Sequence, residues 1–181
     1  AKGSGMIRPN MGTMLCYLTT DCAVAPDMLR SALKAACGVT FNRISVDGDT
    51  STNDSLIILA NGLAGNAEIT EKNADYEAFL AALTDISTTL ARAMAADGEG
   101  AKHLITCAVS GAADDSAAET LSKSVIGSTL TKAAIFGCDA NWGRVLCAMG
   151  YSGVEFDPEA VDITFKSAAG TVPVCKSGRG L

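Results

Sequence analysis

The sequence predicts a mixed α/β protein, because segments with helical periodicity alternate along it with short apolar runs typical of strands. The clearest helix is at 73–96, where large apolar side chains recur every three or four residues. The clearest strand is at 54–60, whose contiguous residues 56–59 are all Leu or Ile and are predicted to be buried on both faces. With 181 residues, 48% of them hydrophobic, the chain is long enough for one well-buried domain.

Proline and capping residues place the other elements. Pro26 suits the first turn of one helix, and Asn141 can cap a later one. Ser116 with Glu119 has the pattern of a capping box. The sequence further predicts strands at 14–18, 41–46, 103–109 and 130–136, helices at 26–37, 116–125 and 142–149, and a hairpin between 161 and 174.

The composition argues against nucleic acid and membranes as partners. A net charge of −6 provides no basic face for a phosphate backbone. No apolar run approaches the ~20 residues that a membrane-spanning helix needs. The Gly- and Ser-rich start of the sequence lacks the apolar core of a signal peptide, so we expect a cytoplasmic protein.

The seven cysteines predict reduced thiols. Their number is odd, their spacings are wide, and no CxxC pair occurs. Most, such as Cys107 and Cys147, have apolar sequence neighbours, which is typical of buried thiols in a reducing compartment. A zinc site would lack a second imidazole, since His103 is the single histidine. We therefore expect no metal and no cofactor.

A candidate nucleophile lies in residues 2–21, KGSGMIRPNMGTMLCYLTTD. The loop that opens this segment ends at Thr13, at the mouth of the first predicted strand. Attack of the Thr13 hydroxyl on the Gly12 carbonyl, followed by hydrolysis of the ester, would leave Thr13 as a new N-terminus. An amine beside its own hydroxyl is the arrangement of N-terminal nucleophile enzymes, in which the amine is the base. On pattern alone, however, a Gly–Thr pair more often simply ends a loop.

Longer motifs favour the interpretation that Thr13 is a nucleophile over the interpretation that it only ends a loop. The segment around Thr13 resembles the self-cleavage segment of the ornithine acetyltransferase (glutamate N-acetyltransferase) family of arginine biosynthesis. Many members have Ala where this chain has Gly12, and the smaller Gly is compatible with cleavage. The resemblance spans essentially the whole chain and is carried by KGSGMI at 2–7, PNMGTMLCYLTTD at 9–21, VDGDTSTND at 46–54, DGEGA at 97–101, IFG at 135–137, NWGR at 141–144 and GYSG at 150–153.

The resemblance implies both a fold and an activity. The fold is a layered α/β/β/α sandwich similar to that of the N-terminal nucleophile hydrolases. The activity is transfer of acetyl from N2-acetyl-L-ornithine to L-glutamate through an acetyl-threonine intermediate, and some members also use acetyl-CoA as a donor substrate. Residues 1–12 would be the end of an α subunit, and residues 13–181 a β subunit that lacks its C-terminal tail.

The resemblance also implies the site residues. Thr13 is the catalytic residue, Gly12–Thr13 is the cleavage site, and Lys2, Thr13 and Glu99 bind substrate. The ammonium of Lys2 suits the carboxylate of an N-acetyl amino acid, although an isolated loop lysine or glutamate is more often solvated. The family's oxyanion hole belongs to a part that precedes this sequence, and further contacts come from a tail beyond Leu181.

The sequence assigns no chemical role to two further sets of residues. Asp47, Asp49 and Asp54 lack the spacing of an EF-hand, so a polar turn held by Ser and Thr hydroxyls is expected there. Trp142 falls on the apolar face of its predicted helix, and packing is the expected role for it and for Arg144.

The implied partners are an α subunit from the same precursor, in an α2β2 heterotetramer, and the small-molecule substrates N-acetylornithine and glutamate. Two other interpretations remain open. An N-terminal nucleophile aminopeptidase also cleaves its own chain to expose the nucleophile, but it does not need the motifs of Lys2 and Glu99. A non-catalytic subunit that only pairs with a partner would keep the Gly12–Thr13 bond intact.

Overall fold

The chain is described as two compact units. The computed structural model describes residues 1–8 and 14–181. One unit is Ala1–Leu104, and the other is Ile105–Leu181. Each unit has an apolar core of its own. The boundary lies inside 103–109, a segment predicted to be a strand, so periodicity could not reveal it.

The first unit combines a parallel strand pair with two helices. Leu15 lies opposite Ser55 in the parallel register, which continues to the end of both strands. Helices and strands share one core, whose largest fully buried side chains include Tyr76 and Phe41. The elements are β1 (Leu15–Thr20), α1 (Pro26–Val39), a 3-10 turn at Phe41–Arg43, β2 (Ser55–Ala60) and α2 (Ala74–Ala96).

Only one face of the β1–β2 pair is covered in the described chain. Cys16, Leu18 and Leu56 point into the core. On the other face Tyr17 and Leu59 are each 62% exposed, and Leu15 and Ile57 are exposed as well. The prediction that β2 is buried on both faces is therefore wrong for the described residues. Parallel strands are nearly always covered on both faces, so this apolar surface is unusual.

The second unit packs helices with an antiparallel sheet. Its strands follow the order β3–β4–β5, and the hairpin predicted between 161 and 174 is confirmed as β3 and β4. The core is formed by residues from α3, α5 and the sheet, including Leu121, Ala148 and Cys175. The elements are α3 (Asp115–Gly127), α4 (Thr129–Phe136), α5 (Trp142–Gly150), a 3-10 turn at Pro158–Ala160, β3 (Ile163–Ser167), β4 (Gly170–Lys176) and β5 (Arg179–Gly180).

Elements with strong local signals form where the sequence predicts them. α1 begins at Pro26, and α2 is capped by Asn73, whose side-chain oxygen accepts a hydrogen bond from the Tyr76 amide at 3.0 Å. The Asn141 side chain caps α5 in the same way, accepting from the Arg144 amide at 3.1 Å. These caps satisfy amides that a helix start leaves unpaired, which is why they locate helix starts well.

The strand predicted at 130–136 is wrong, because this segment is helix α4. The Ser128 side chain accepts a hydrogen bond from the Thr131 amide at 3.2 Å and caps the helix. Leu, Lys and Ala within the segment are good helix formers. A short apolar run does not distinguish strand from helix by periodicity, and the cap decides between them here.

The strands predicted at 41–46 and 103–109 are also wrong. α1 runs into the 3-10 turn Phe41–Arg43, which buries Phe41 completely in the first core. Segment 103–109 has no regular secondary structure, although Ile105, Cys107 and Val109 alternate as half-buried residues. A strand requires a hydrogen-bonded neighbour, and the alternation of side chains in one segment does not supply it.

The capping residue of α3 also differs from the prediction. Asp114, not Ser116, accepts the hydrogen bond from the Ala117 amide, at 2.7 Å. We expect Asp114→Ala to lower the free energy of unfolding by about 1 kcal/mol, the usual loss for an N-cap. Ser116→Ala, in the exposed first turn, is the matched control and should change it by less than about 0.5 kcal/mol. Equal losses in denaturant unfolding of the two variants would contradict this assignment.

The cysteines divide by burial. All seven are free thiols. Cys16, Cys37 and Cys175 are buried, whereas Cys138 and Cys147 are exposed, so the expectation of a buried Cys147 is wrong. α5 turns Cys147 outward while its neighbours Val145 and Ala148 face the core. Burial raises the pKa of the Cys16, Cys37 and Cys107 thiols, because it disfavours the thiolate.

Candidate functional site

Asp47 binds the backbone of the KGSGMI motif at 2–7. Its carboxylate accepts hydrogen bonds from two successive amides, those of Met6 and Ile7, the latter at 3.1 Å. The neighbouring Val46 amide donates to the Ile7 carbonyl at 2.6 Å. Met6 has a φ of 55°, an uncommon conformation for a residue with a side chain. The carboxylate thus stabilises a turn that the loop would otherwise adopt at a cost in free energy.

The VDGDTSTND segment at 46–54 holds both sides of residues 9–13. Before the gap, the Arg8 carbonyl accepts a hydrogen bond from Thr50 Oγ1 at 3.0 Å. After it, the Met14 amide donates to Asp54 Oδ1, and the Met14 carbonyl accepts from the Ser55 amide at 2.6 Å. One segment therefore fixes the positions at which the chain enters and leaves residues 9–13.

The DGEGA motif at 97–101 joins the same assembly. The Glu99 amide donates to the Ser4 carbonyl at 2.7 Å. The Glu99 side chain is exposed and lies beside Gly5, where an added Cβ would stand 2.9 Å from Glu99 Oε2. This atom is the far end of a flexible side chain, so the distance shows that the loop and the carboxylate are neighbours and not that glycine is required at position 5.

Lys2 is tied to the strand that follows the candidate nucleophile. Its amide donates to the Leu15 carbonyl at 2.8 Å, and its carbonyl accepts from the Leu15 amide at 3.0 Å. These two bonds form an isolated antiparallel bridge at the start of β1. The residue is exposed, so its backbone is fixed while its ammonium faces solvent.

The structure therefore brings together the motif segments that carry Lys2 and Glu99. Gly12 and Thr13, the predicted cleavage site and nucleophile, lie outside the described residues. Their role stays a prediction, as do the substrate contacts of Lys2 and Glu99. The described neighbours bracket that position by hydrogen bonds at Arg8 and Met14.

Asp54 is the most unusual polar residue of this assembly. Its Oδ1 accepts from the Met14 amide, whereas its Oδ2 is buried and has no hydrogen-bond partner among the described residues. Burial raises the pKa of Asp54, and the bond from the Met14 amide opposes this effect. An unpaired buried carboxylate oxygen is costly, so the residue needs an explanation beyond strand geometry.

Sequence reasoning missed the roles of Asp47 and Asp54. The expected hydroxyl contacts are present in part, since Ser51 Oγ accepts from the Asn53 amide at 3.2 Å. The two carboxylates instead reach residues about forty positions earlier in the chain. The pairing of β1 with β2 contains the missing signal, because it places residue 14 beside residue 54.

The NWGR motif at 141–144 serves the fold of the second unit, as predicted. Trp142 is half-buried against the second core and lies under Gly180, where an added Cβ would stand 2.8 Å from the indole Nε1. Arg144 Nη1 donates to the Leu130 carbonyl at 3.0 Å, which links α5 to α4. These contacts are structural.

Over residues 1–8 and 14–181, no helix combines the length and the apolar character needed to cross a bilayer. The same residues contain no group of three or more His, Cys, Asp or Glu side chains placed to hold a metal ion.

Comparison with known proteins identifies the family. The model of the ArgJ family matches residues 1–181, the whole sequence. The chain belongs to the ArgJ family. It is 50% identical to an arginine biosynthesis bifunctional protein ArgJ 1 from Clostridium acetobutylicum and 49% identical to ArgJ from Thermotoga neapolitana, each over all of this chain. These matches cover 44% and 46% of the two relatives, so the chain spans less than half their length.

A solved ArgJ structure confirms the fold class. The crystal structure of arginine biosynthesis bifunctional protein ArgJ from Bacillus halodurans matches with a TM-score of 0.86 at 44% sequence identity. The match covers 93% of this chain and 78% of that one. The chain thus has the mixed α/β fold of an ArgJ protein, in agreement with the class predicted from its sequence.

Proposed function

We propose that the chain carries the nucleophile and part of the substrate site of a self-cleaving acetyltransferase, which moves acetyl from N2-acetyl-L-ornithine to L-glutamate. The observation that carries this proposal is the hydrogen bonding of segments 46–54 and 97–101 to residues 2–8 and to Met14, on the two sides of residues 9–13, in an ArgJ-family chain. A loop that merely ends at a strand does not require aspartate side chains that accept hydrogen bonds from backbone amides near both of its ends.

Self-cleavage is the first proposed step. Thr13 Oγ attacks the Gly12 carbonyl carbon, an Oγ–C bond forms, and the bond from that carbon to the Thr13 nitrogen breaks. The hydroxyl proton ends on the departing nitrogen, which becomes the amine of a new N-terminus. Water then hydrolyses the ester, restores the hydroxyl and leaves a carboxylate on Gly12. Hydrogen bonds hold Arg8 and Met14, the described residues on either side of this junction.

Acetyl transfer uses the same hydroxyl. The Thr13 amine accepts the hydroxyl proton while Oγ attacks the acetyl carbon of N-acetylornithine, and ornithine leaves with a proton on its nitrogen. The acetyl group is then an ester on Thr13. The amine of glutamate attacks this ester, forms N-acetylglutamate and returns the proton to Oγ. Acetyl-CoA is a second donor compatible with this step, since its thioester transfers acetyl to the same oxygen.

Lys2 and Glu99 are proposed to bind the substrate by charge. N-acetylornithine carries a carboxylate and a side-chain ammonium, which are complementary to an ammonium and a carboxylate of the protein. The Lys2 and Glu99 segments are both held by the backbone, one on Leu15 and the other on Ser4. Both side chains are exposed, so they are accessible to a ligand from backbone positions that are held.

The uncovered sheet face supports the proposed partner, an α subunit cut from the same precursor. Tyr17 and Leu59 are each 62% exposed on a pair of parallel strands, which are normally covered on both faces. The relatives are more than twice as long as this chain, so the full-length protein has enough additional residues to cover this face. The α2β2 heterotetramer is proposed on the resemblance to the family.

The experiment that tests the function is capture of the covalent intermediate. Full-length protein is mixed with N-acetylornithine without glutamate, quenched with acid and digested for mass spectrometry. We expect an added acetyl on the peptide that starts at Thr13, and its loss when glutamate is added. Acetyl on another residue, or release of acetate without transfer, would contradict the proposal. The second outcome is what an aminopeptidase-like hydrolase would give.

Substitution of Lys2 or Glu99 tests the substrate site. We expect Lys2→Ala and Glu99→Ala to lower kcat/KM for N-acetylornithine about ten- to a hundredfold, because a charge-assisted hydrogen bond contributes roughly 1.5–3 kcal/mol. Self-cleavage and thermal stability should stay unchanged, since both side chains are exposed. Lys34→Ala and Glu68→Ala, at exposed positions of the same unit, are the controls. Kinetics equal to these controls would remove Lys2 and Glu99 from the site.

A further inference from the structure

We infer that Gly98 is a positioning residue for Glu99: a residue without a side chain is needed at position 98 so that the Glu99 carboxylate lies beside residues 4 and 5. The inference rests on the function proposed above, in which Glu99 binds the substrate by charge. Two glycines flank Glu99, and their surroundings differ. Gly100 has a φ of 71° and no described atom within 4 Å of an added Cβ, whereas Gly98 is buried and closely surrounded.

The described atoms around Gly98 leave no room for a side chain. An added Cβ would stand 2.9 Å from Cγ1 and 3.1 Å from Cγ2 of Val46, and 3.3 Å from the Ala95 carbonyl oxygen in the last turn of α2. Ordinary van der Waals contact begins at 3.4 Å, so alanine at position 98 has to displace Val46, residue 98 or both. Gly98 does not have a positive φ, so glycine is required here for space and not for backbone conformation.

Val46 resists this displacement. Its side chain is half-buried and packs against the first core, and its amide donates to the Ile7 carbonyl at 2.6 Å. Rotation of the side chain gives no relief, because two of its three staggered positions face residue 98 and two methyl groups always occupy at least one of them. An added methyl therefore shifts residue 98 and, with it, Glu99.

The place of Glu99 in the site depends on this position. Its amide donates to the Ser4 carbonyl at 2.7 Å, and its carboxylate is a neighbour of Gly5, in the segment that carries Lys2. A binding site tolerates displacement of its groups by only about 0.5 Å. Because Gly98 is buried, its effect on the substrate passes through Glu99.

The test is a double-mutant cycle of Gly98→Ala and Glu99→Ala in the full-length protein. We expect Gly98→Ala to raise KM for N-acetylornithine about tenfold with little change in kcat, because a charge contact to the bound substrate is weakened. In the Glu99→Ala background the same substitution should not raise KM further, since the carboxylate that it displaces is gone. Gly38→Ala in α1, where an added Cβ meets no described atom within 4 Å, is the matched control.

A second variant relieves the crowding from the other side. Val46→Ala removes both methyl groups that face residue 98, so combined with Gly98→Ala it should restore most of the lost affinity. No recovery in this double variant would contradict a steric origin and overturn the inference. Loss of the fold by Gly98→Ala, seen in thermal unfolding, would also overturn it, because the glycine would then serve stability.

The cycle separates the inference from the proposed function. Effects of Gly98→Ala and Glu99→Ala that add in full would show that Gly98 does not act through Glu99, and kinetics equal to Gly38→Ala would show that it has no role in binding. Either result overturns the inference while Glu99→Ala remains impaired. If the proposed function is wrong instead, Glu99→Ala itself has wild-type kinetics, whatever Gly98→Ala does.

Discussion

Thr13→Ala in the full-length protein is expected to remain a single uncut chain and to transfer no acetyl group. The substitution removes the oxygen that attacks the Gly12 carbonyl, so neither the ester nor the new N-terminus can form. It also removes the oxygen that would carry acetyl. Intact mass will show one chain for the variant and two for the wild type, and acetyl transfer will fall to the background of the assay.

Two further substitutions make this result specific. Thr13→Ser keeps a hydroxyl and should still be cut, more slowly, because serine lacks the methyl group that restricts its rotamers. Thr89→Ala removes an exposed threonine from α2 of the same unit and should behave as wild type. Cleavage of Thr13→Ala at the same peptide bond would show that another residue is the nucleophile.

Local signals were sufficient for the helices with side-chain caps. Asn73 and Asn141 accept hydrogen bonds from amides three residues later, a contact that depends only on neighbouring residues. Helix α4 also has such a cap, but the sequence analysis did not use it. Its apolar run was predicted to be a strand, yet Ser128 before it carries the same type of cap, at 3.2 Å from the Thr131 amide. Giving the cap more weight than the apolar run would have corrected the prediction.

The candidate site depended on information that no local pattern contains. The motif segments 46–54 and 97–101 are each hydrogen-bonded to segment 2–7, while the roles of their residues in a site stay a prediction. The part played by Asp47 and Asp54 was not predictable, since each binds amides about forty residues away. Such contacts follow from strand pairing, and a parallel register between distant segments is not specified by the sequence of either one.

The prediction that β2 is buried on both of its faces failed for a physical reason. The contiguous Leu and Ile residues of β2 indicate two covered faces, yet Ile57 and Leu59 are exposed in this chain. A sequence pattern records the environment of the complete protein, whereas the exposure of a side chain depends on which other residues are present. The ArgJ relatives are more than twice as long as this chain, and the α subunit proposed above would supply the second cover that the pattern indicates.

Residues 1–181 alone should have negligible acetyltransferase activity. The resemblance to the family implies an oxyanion hole in a part that precedes these residues, and loss of one oxyanion donor lowers a rate by about 10²–10³. The exposed face around Tyr17 and Leu59 should further favour self-association, since exposed apolar patches tend to find a partner. Activity is measured for this chain, for the full-length protein and for the chain mixed with the separately produced preceding part. We expect turnover from the second and partial recovery in the third, and turnover by residues 1–181 alone would show that their own groups stabilise the oxyanion.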